Sequence, residues 1–343
     1  MKNLKGIDKL IFIVNSILAG ILLLSYILPF FPPKSFPIFS VLSLGVPFLI
    51  IVNALFFLYW LLKVKKQMIL PLFALLIGYW FFGSLYKFSW SSNKDATYDL
   101  TVMNYNVRLF NLYDWIKEKD TDESIESLIK KSNPDILTLQ EYRPDTDVDF
   151  SHYQYKFVKL SGKKVKNGQA IFSKFPIINS GSVEFPNTSN NAIFVDIIKG
   201  TDTLRVYNVH LQSLKINADV EQLKNEDSER LVKRVGTTFE MQQSQSELFL
   251  KHKENCPYKM IVSGDFNNTA YSYVYKKIKG DLMDAFKIAG NGFGRTYDFK
   301  FFPIRIDFIL ADESIKVKRF KTFDEHYSDH YPVMAFYELT KAE

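Results

Sequence analysis

Three long apolar stretches without charged residues occupy the first third of the chain, and this pattern ends near residue 96. The stretches consist mainly of Leu, Ile, Phe and Val and lie between lysines, at residues 10–33, 35–62 and 67–86. Each reaches the roughly 20 residues that a helix needs to cross the hydrocarbon core of a bilayer. The pattern therefore predicts an N-terminal membrane region, residues 1–96, with three transmembrane helices at about 10–31, 37–62 and 67–86.

The charges that flank these stretches predict an orientation. Only Lys34 separates the first two stretches, whereas the other two flanks are rich in lysine: Lys2, Lys5, Lys9, Lys63, Lys65 and Lys66. Lysine-rich flanks favour the cytoplasm. We therefore expect a multi-pass protein of the bacterial inner (cytoplasmic) membrane, with the part after Tyr86 facing the periplasm or exterior. A cleaved signal peptide is the alternative for the first stretch, but two further stretches follow it and no clear cleavage site ends it.

From Tyr98 onward the pattern changes to short apolar or alternating runs separated by polar turns. These runs predict strands at 100–106, 135–139, 168–173, 192–198, 203–211, 260–262, 305–310 and 334–339. Amphipathic stretches predict helices at 122–131 and 240–252, and residues 220–235 are either a charged helix or a mobile segment. Many strands with few helices between them predict a two-sheet core with flanking helices over a second domain, residues 97–343.

The net charge of +6 says little about nucleic-acid binding, because it is unevenly distributed. Residues 1–96 carry a net charge of +7, and residues 97–343 carry −1. A nucleic-acid-binding face is expected to be basic, and the second domain is not. The single cysteine, Cys256, excludes an intrachain disulfide and is compatible with either the cytoplasm or a bacterial periplasm.

A polar side chain able to bind metal or phosphate follows most of the predicted strands. These residues are Asn106, Glu141, His210, Asp265, Asn267, Asp307, Asp329 and His330. Strand ends that meet at one edge of a sandwich are a common place for a site. In Gly264-Asp-Phe-Asn267, the carboxylate and the amide face the same side of an extended chain, where they can hold a water and a phosphate oxygen.

The residue types favour metal-assisted chemistry on a phosphate. Glu141 is a hard oxygen ligand that suits Mg²⁺, and Asn106 can orient it. Asp307 lies within an apolar strand and needs a partner, for which His330 is suited because an Asp–His pair favours the cationic imidazole. Each residue also has a plainer interpretation taken singly, as a surface glutamate, a turn asparagine or a structural histidine.

Taken in order, seven short motifs resemble those of the endonuclease/exonuclease/phosphatase superfamily, which includes pancreatic deoxyribonuclease, apurinic endonucleases, neutral sphingomyelinases and inositol-phosphate 5-phosphatases. The motifs are Asn104-Tyr-Asn-Val-Arg108, Leu139-Gln-Glu141, Ala170-Ile-Phe-Ser-Lys-Phe-Pro176, Asn208-Val-His-Leu211, Gly264-Asp-Phe-Asn267, Arg305-Ile-Asp-Phe308 and Ser328-Asp-His330. One such motif is weak evidence, but seven in this order are specific. Three spans followed by this domain are similar to membrane-bound members in Bacteroidetes-type bacteria.

The resemblance implies an α/β fold, a four-layer α/β/β/α sandwich, and Mg²⁺-dependent hydrolysis of a phosphate ester, with Mn²⁺ as the alternative ion. It implies a metal site formed by Glu141, Asn106 and Asp329. Arg108 and Asn208, which lie within the matching motifs, are expected to bind substrate.

The resemblance also implies catalytic roles. Asp265 would deprotonate the attacking water. Asn267 and His210 would hold phosphate oxygens, and Asp307 would support His330. Whether Asp265 or His330 is the base stays open.

The expected function is therefore a membrane-anchored phosphodiesterase, first of nuclease type. The alternatives are a phospholipid (sphingomyelinase-like) or inositol-phosphate hydrolase, and a non-catalytic binding module on the same fold. The expected partners are the lipid bilayer, through the N-terminal helices, and a phosphate-ester substrate, either nucleic acid or a lipid head group.

Overall fold

The fold combines an N-terminal helical unit with a sandwich of two mixed β-sheets. The structure is a computed structural model and describes residues 4–79, 85–89, 97–117, 120–162, 165–215, 227–299 and 302–339. The helical unit contains helices α1 (Gly6–Ser25), α2 (Pro37–Ser43), α3 (Val46–Leu62) and α4 (Ile69–Ile77).

The helical unit has a small buried centre and an apolar exterior. Ala19, Leu22, Ile50 and Trp60 are almost fully buried, and the Trp60 indole N–H donates to Asn15 Oδ1 at 3.0 Å. Many outward-facing side chains are nonetheless large and apolar: Ile7, Leu10, Ile17, Leu24, Leu55, Leu58, Leu62 and Phe73. The exterior of this unit is therefore unlike the polar surface expected of helices in water.

The prediction of three unbroken spans is wrong for the described part of the chain. One helix there, Gly6–Phe30, is long and apolar enough to cross a membrane, and the second predicted span is a pair of helices bent by 48°. The bend lies where Gly45 and Pro47 interrupt the apolar stretch, because proline cannot donate the backbone hydrogen bond that a continuous helix needs. The third predicted span contributes a shorter helix, Lys66–Ile77, and its residues 80–84 lie outside the described residues.

The described residues contain fourteen strands. They are β1 (Leu100–Asn106), β2 (Ile136–Tyr142), β3 (Tyr155–Ser161), β4 (Asn167–Ser173), β5 (Ile177–Glu184), β6 (Asn191–Lys199), β7 (Asp202–His210), β8 (Lys259–Asp265), β9 (Met283–Asp284), β10 (Tyr297–Phe299), β11 (Phe302–Ile304), β12 (Asp307–Ala311), β13 (Ile315–Thr322) and β14 (Val333–Leu339). Twelve of these strands form the sandwich, while β10 and β11 form a separate two-stranded sheet. The helices are α5 (Thr121–Ser132), α6 (Ser228–Lys253), α7 (Tyr273–Lys279) and α8 (Ala285–Ala289).

Two six-stranded sheets, in the orders β13-β14-β1-β2-β4-β3 and β5-β6-β7-β8-β12-β9, pack face to face. Buried aliphatic side chains such as Val102, Ile136, Val206 and Ile261 fill the space between them. Helix α5 covers the outer face of the first sheet, and α6 and α7 cover that of the second. The expected four-layer α/β/β/α sandwich is thus the architecture of this part.

The centres of the two sheets bring the candidate residues to one edge. Strands β1 and β2 are parallel, as are β7 and β8, so the four carboxyl ends point the same way. Strand β12 runs antiparallel to β8 and pairs Asp307 with Asp265. Asp307 therefore begins its strand rather than ending it, which corrects the strand-end interpretation, and it reaches the same edge because the strand is reversed.

The predicted strands are all present, and the hairpin around residues 200–202 is β6 paired antiparallel with β7. Six strands were not predicted: β3, β5, β9, β10, β11 and β13. The two helical segments expected within 220–252 are one helix, α6, where the structure describes them, and residues 216–226 lie outside the described residues.

Candidate active site

The centre of the site is a buried chain of one imidazole and two carboxylates. His330 Nδ1 lies 2.8 Å from Asp307 Oδ2, and His330 Nε2 lies 3.6 Å from Asp265 Oδ2. All three side chains are at least 94% buried. The Asp307–His330 pair that the residue types indicated is thus formed. It directs the second ring nitrogen of His330, Nε2, towards Asp265.

The charge of His330 is set by competition between burial and its neighbours. Burial alone would lower the pKa of the imidazole, but the carboxylates of Asp307 and Asp265 outweigh burial and raise the pKa. Asn104 supports this arrangement from β1, because its amide nitrogen lies 3.4 Å from Asp307 Oδ1. The two carboxylates therefore favour the cationic form of His330.

Asp265 is held by hydrogen bonds on both carboxylate oxygens. The Asn267 backbone N–H donates to Oδ1 at 2.7 Å, and Asn106 Nδ2 donates to Oδ2 at 3.0 Å. Burial raises the pKa of this carboxyl, with a smaller contribution from the charge of Asp307. A carboxylate with a raised pKa is a better proton acceptor near neutral pH than an ordinary aspartate.

The local backbone explains why Asp265 stands where it does. Gly264 has a φ of +144°, and a Cβ there would lie 1.9 Å from the carbonyl oxygen of Val209 on the neighbouring strand β7. Only glycine allows this close approach of the strands. Asn267 follows with a φ of +49°, and its side-chain amide donates to Asp265 Oδ2 and to the Leu211 carbonyl. As placed, Asn267 therefore positions Asp265 rather than presenting its amide hydrogens to a phosphate.

Glu141 reaches the site through an irregularity in its strand. The pairing of β2 with β4 shifts register between Leu139 and Tyr142, and Glu141 has a φ of +52°. Such a bulge re-aims one side chain out of the regular alternation. Burial and the nearby charge of Asp329 raise the pKa of Glu141, and Asn106 Nδ2 lies 3.5 Å from its Oε1.

A divalent cation fits this position chemically. Among the described residues, no basic side chain forms an ion pair with Glu141, and Asp329 beside it contributes a second carboxylate. Asp329 itself contacts Arg108, with 3.3 Å between Nη1 and Oδ2. Glu141 and Asp329 thus provide a pair of carboxylates with Arg108 as their cationic neighbour. Mg²⁺ and Mn²⁺ prefer oxygen ligands of this kind. Asp265, Asp307 and His330 form another group whose ligand atoms lie within 4.8 Å of one another.

Asn106 and Arg108 link the two halves of the site. Asn106 donates towards Glu141 and Asp265, and its Oδ1 accepts the Arg108 backbone N–H at 3.1 Å. As placed, Asn106 therefore orients the two carboxylates rather than presenting its oxygen to a metal. The Arg108 guanidinium lies 4.5 Å from the ring centroid of Trp115, which holds it beside the cavity.

His210 lies next to Asp265 but carries no charge. Its Nε2 is 3.8 Å from Asp265 Oδ2. Burial, together with the positive charge of His330, lowers the pKa of His210 to about 3. A neutral imidazole can still donate one ring N–H to a phosphate oxygen, so the predicted contact is chemically available.

Asn208 is the predicted site residue that the structure places elsewhere. Its side chain is fully buried between the sheets, and its amide donates to the carbonyls of Leu139 and Ala170 at 2.8 and 3.2 Å. Gln140 donates to its oxygen. Asn208 lies two residues before His210 on the strand and shares its face, but it lies deeper in the sandwich, where it joins the two sheets.

Five of the site residues line a cavity of about 370 Å³. Glu141, Asp265, Asn267, Asp329 and His330 form its polar side. Sequence reasoning missed Tyr297, which also lines the cavity and stacks edge-on against His330 with 5.1 Å between ring centroids. The glycine-rich sequence around Tyr297 does not predict this contact. The contact forms because the β10–β11 hairpin, which is distant from His330 in the chain, folds back towards it.

Family comparisons cover both parts of the chain. Residues 103–330 match the model of the Endonuclease/Exonuclease/phosphatase family. Residues 8–85 match a domain of unknown function, DUF8431. No curated protein matches the chain significantly.

Solved structures show the same fold at low identity. An endonuclease/exonuclease/phosphatase from Bacteroides vulgatus is 20% identical, with a TM-score of 0.55 over 71% of this chain and 100% of that chain. The human Nocturnin catalytic domain with bound sulfate is 18% identical, with a TM-score of 0.54 over 71% and 94%. The D. rerio TDP2 structure with a single-strand DNA product is 16% identical, with a TM-score of 0.52 over 70% and 98%.

Proposed function

The chain belongs to the endonuclease/exonuclease/phosphatase family, and from this premise we propose that it is a Mg²⁺-dependent phosphodiesterase anchored in a membrane. Family membership makes it a metal-dependent phosphoester hydrolase. The proposal of phosphodiester hydrolysis rests on the arrangement of Asp265 and His330, with 3.6 Å between Oδ2 and Nε2 at one wall of the cavity.

The two central residues divide the chemistry between them. Asp265 accepts the proton of the attacking water, because its raised pKa makes it a competent base and the Asn267 and Asn106 hydrogen bonds fix its orientation. His330 is already protonated, since Asp307 raises its pKa, and it stabilises the negative charge on the phosphate oxygens. A protonated His330 cannot act as the base, which favours Asp265 for that role.

Glu141 and Asp329 are the residues that would hold the cation, with Asn106 orienting Glu141. When bound, a divalent cation supplies positive charge that stabilises the phosphate and the leaving oxygen. His210 supplies a neutral donor 3.8 Å from Asp265 Oδ2, and Arg108 fixes Asp329.

Membrane anchoring is supported by the surface of the helical unit. Helices α1, α3 and α4 expose large apolar side chains along their length, and Phe48, Leu55 and Phe73 are 55–59% exposed. Charged groups gather at one end, where Lys63 donates to Asp8 at 2.6 Å. The opposite end contacts the sandwich. This polarity supports a lysine-rich cytoplasmic end and a sandwich on the periplasmic or outer side.

Two observations bear on which phosphate ester is the substrate. A nuclease-type substrate is supported by the fold likeness to TDP2, which was solved with a single-strand DNA product. The net charge of −1 over residues 97–343 supplies no overall electrostatic attraction for a polyanion.

The test uses the full chain in detergent with bis-p-nitrophenyl phosphate and Mg²⁺. We expect Asp265→Asn to lower kcat at least about 10³-fold, because it removes the base and keeps the shape of the side chain. Asp202→Asn is the matched control, since Asp202 begins strand β7 and therefore lies at the end of the strand opposite to the active site. Undiminished hydrolysis by Asp265→Asn would contradict the proposed base, and undiminished hydrolysis in a chelator would contradict the metal.

A further inference from the structure

The cavity that contains the catalytic residues has a second wall, which is apolar and comes from the helical unit. Leu44, Pro47 and Phe48, at the bend between α2 and α3, line it together with Phe302 and Ile304 of β11. Phe48 is 58% exposed. On this side, the carboxylates therefore open onto a hydrocarbon-lined space, whereas Glu141 and His210 also line a second, more polar cavity that contains Lys215 and Arg234.

Specific contacts hold this wall against the sandwich. Helix α2 packs on α6, where a Cβ on Gly236 would lie 3.3 Å from Pro37 Cβ. The Lys34 backbone N–H donates to Gln243 Oε1 at 2.9 Å, and the Lys34 ammonium pairs with Glu247. These contacts place the bend at residues 44–48 beside the active site, so the apolar wall belongs to the same cavity as Asp265.

The polarity of the lining selects the kind of substrate. In the described part of the chain, Lys215 is the one lysine or arginine that lines this cavity. A polynucleotide that lay along this cavity would place further phosphates against mainly apolar side chains, with Lys215 as the one cationic partner among the described lining residues. An ester with a single phosphate and a hydrocarbon chain matches both walls, because burial of each methylene group is favourable.

We propose that the substrate is a phosphodiester of an amphiphile, whose phosphate binds beside Asp265 and His330 and whose hydrocarbon chain lies against Leu44, Pro47 and Phe48. The proposal rests on the phosphodiesterase function given above. In the reaction, the water oxygen bonds to phosphorus, the P–O bond to the leaving alcohol breaks, and the alkoxide takes up a proton. A phosphate monoester and an alcohol are the products. The exposed apolar faces of α1, α3 and α4 place the mouth of the cavity where a substrate can enter from a bilayer.

The test measures kcat/KM for p-nitrophenyl phosphodiesters with methyl, butyl and hexyl groups, below their micellar concentrations. The full chain is used in one fixed detergent concentration. For the wild type we expect kcat/KM to rise about threefold per methylene until the cavity is filled. Phe48→Ser is expected to lose at least about tenfold on the hexyl ester and less than about twofold on the methyl ester, because it removes apolar wall and leaves the catalytic residues in place.

Phe73→Ser is the matched control. Phe73 is exposed to 55% on the same helical unit, against 58% for Phe48, but does not line the cavity. Partition of the esters into detergent is the same for every variant. The difference in kcat/KM between Phe48→Ser and Phe73→Ser therefore measures the contribution of the apolar wall. Leu44→Ser repeats the test at a second lining position, and the methyl ester reports whether each variant is folded.

The outcomes separate the two proposals. Hydrolysis of the methyl ester without dependence on chain length, or an equal loss by Phe48→Ser on both esters, would overturn the amphiphilic substrate and leave the phosphodiesterase intact. Faster cleavage of a single-stranded oligonucleotide than of the hexyl ester would also overturn it. Failure of the wild type to hydrolyse any ester would overturn the phosphodiesterase and the inference together.

Discussion

At the scale of single residues, His330 depends on its buried carboxylate partner for its charge. Asp307 lies 2.8 Å from the imidazole and is 1% exposed, so its charge acts through a low-dielectric interior and raises the pKa of His330. In the proposed mechanism the imidazolium stabilises the phosphate, so activity should be retained below the pKa of His330 and lost as pH rises through it. Asp307→Asn removes the charge that raises this pKa.

We therefore predict that Asp307→Asn moves the alkaline limb of the pH–kcat/KM profile to lower pH by about one to three units. Asp298→Asn is the control, because it removes the carboxylate of another Asp–His pair, 3.1 Å from the half-exposed His326 and outside the cavity lining. An alkaline limb that does not move in Asp307→Asn would show that another group controls it.

The same residues show what the sequence can and cannot indicate. The Asp307–His330 pair could be predicted, because a carboxylate inside an apolar strand must find a partner. The structural role of Asn208 could not, because the depth of a side chain between two sheets depends on strand register. Asn267 likewise looked free to bind phosphate, and only the position of the Leu211 carbonyl, 2.9 Å from its amide, shows otherwise.

At the scale of strands, the close contact of β7 and β8 at Gly264 positions the edge of the sheet that forms the candidate active site. A methyl group there would lie 1.9 Å from the Val209 carbonyl oxygen and 2.6 Å from its nitrogen. We predict that Gly264→Ala lowers the free energy of unfolding by about 3 kcal/mol or more, because the two strands must separate. Gly200→Ala is the control, since its φ is +62° but nothing lies within 4 Å, and its cost is about 1 kcal/mol.

Thermal unfolding followed by near-ultraviolet circular dichroism checks this prediction. The melting temperature of Gly264→Ala should fall by about 6 °C or more, clearly further than that of Gly200→Ala. Equal shifts in the two variants would mean that the strands can move apart without cost, and that Gly264 is needed only for its backbone conformation.

Strand prediction succeeded where burial dominates and failed at the edges of the sheets. The central strands β1, β2, β7 and β8 are buried along most of their length, so large apolar residues recur throughout them. The edge strands β3, β5 and β13 are mostly half-exposed and include lysines or small polar residues. Polar edge strands prevent pairing with other chains, and this composition removes the apolar pattern that would reveal them.

At the scale of the whole molecule, the helical unit has two different ends. Asp8, Tyr59 and Lys63 form a hydrogen-bonded group at one end, with 2.7 Å from the Tyr59 hydroxyl to Asp8 Oδ1. At the other end, Phe30 lies against the sandwich, with Lys276 Nζ 3.0 Å from its ring centroid. If the apolar exterior between these ends lies in a bilayer, the two ends face opposite sides.

This arrangement predicts that Lys65 and Thr201, both on exposed loops, are separated by the membrane. Each is replaced by cysteine in a Cys256→Ser background and treated in bacterial spheroplasts with a membrane-impermeant maleimide. Thr201→Cys is expected to be labelled in intact spheroplasts and Lys65→Cys only after lysis, because the lysine-rich loop favours the cytoplasm. Lysed samples, in which both should react, control for accessibility of the thiols. Labelling of both positions before lysis would contradict a spanning helical unit, and the reverse pattern would place the apolar mouth of the active site at the inner leaflet instead of the outer one.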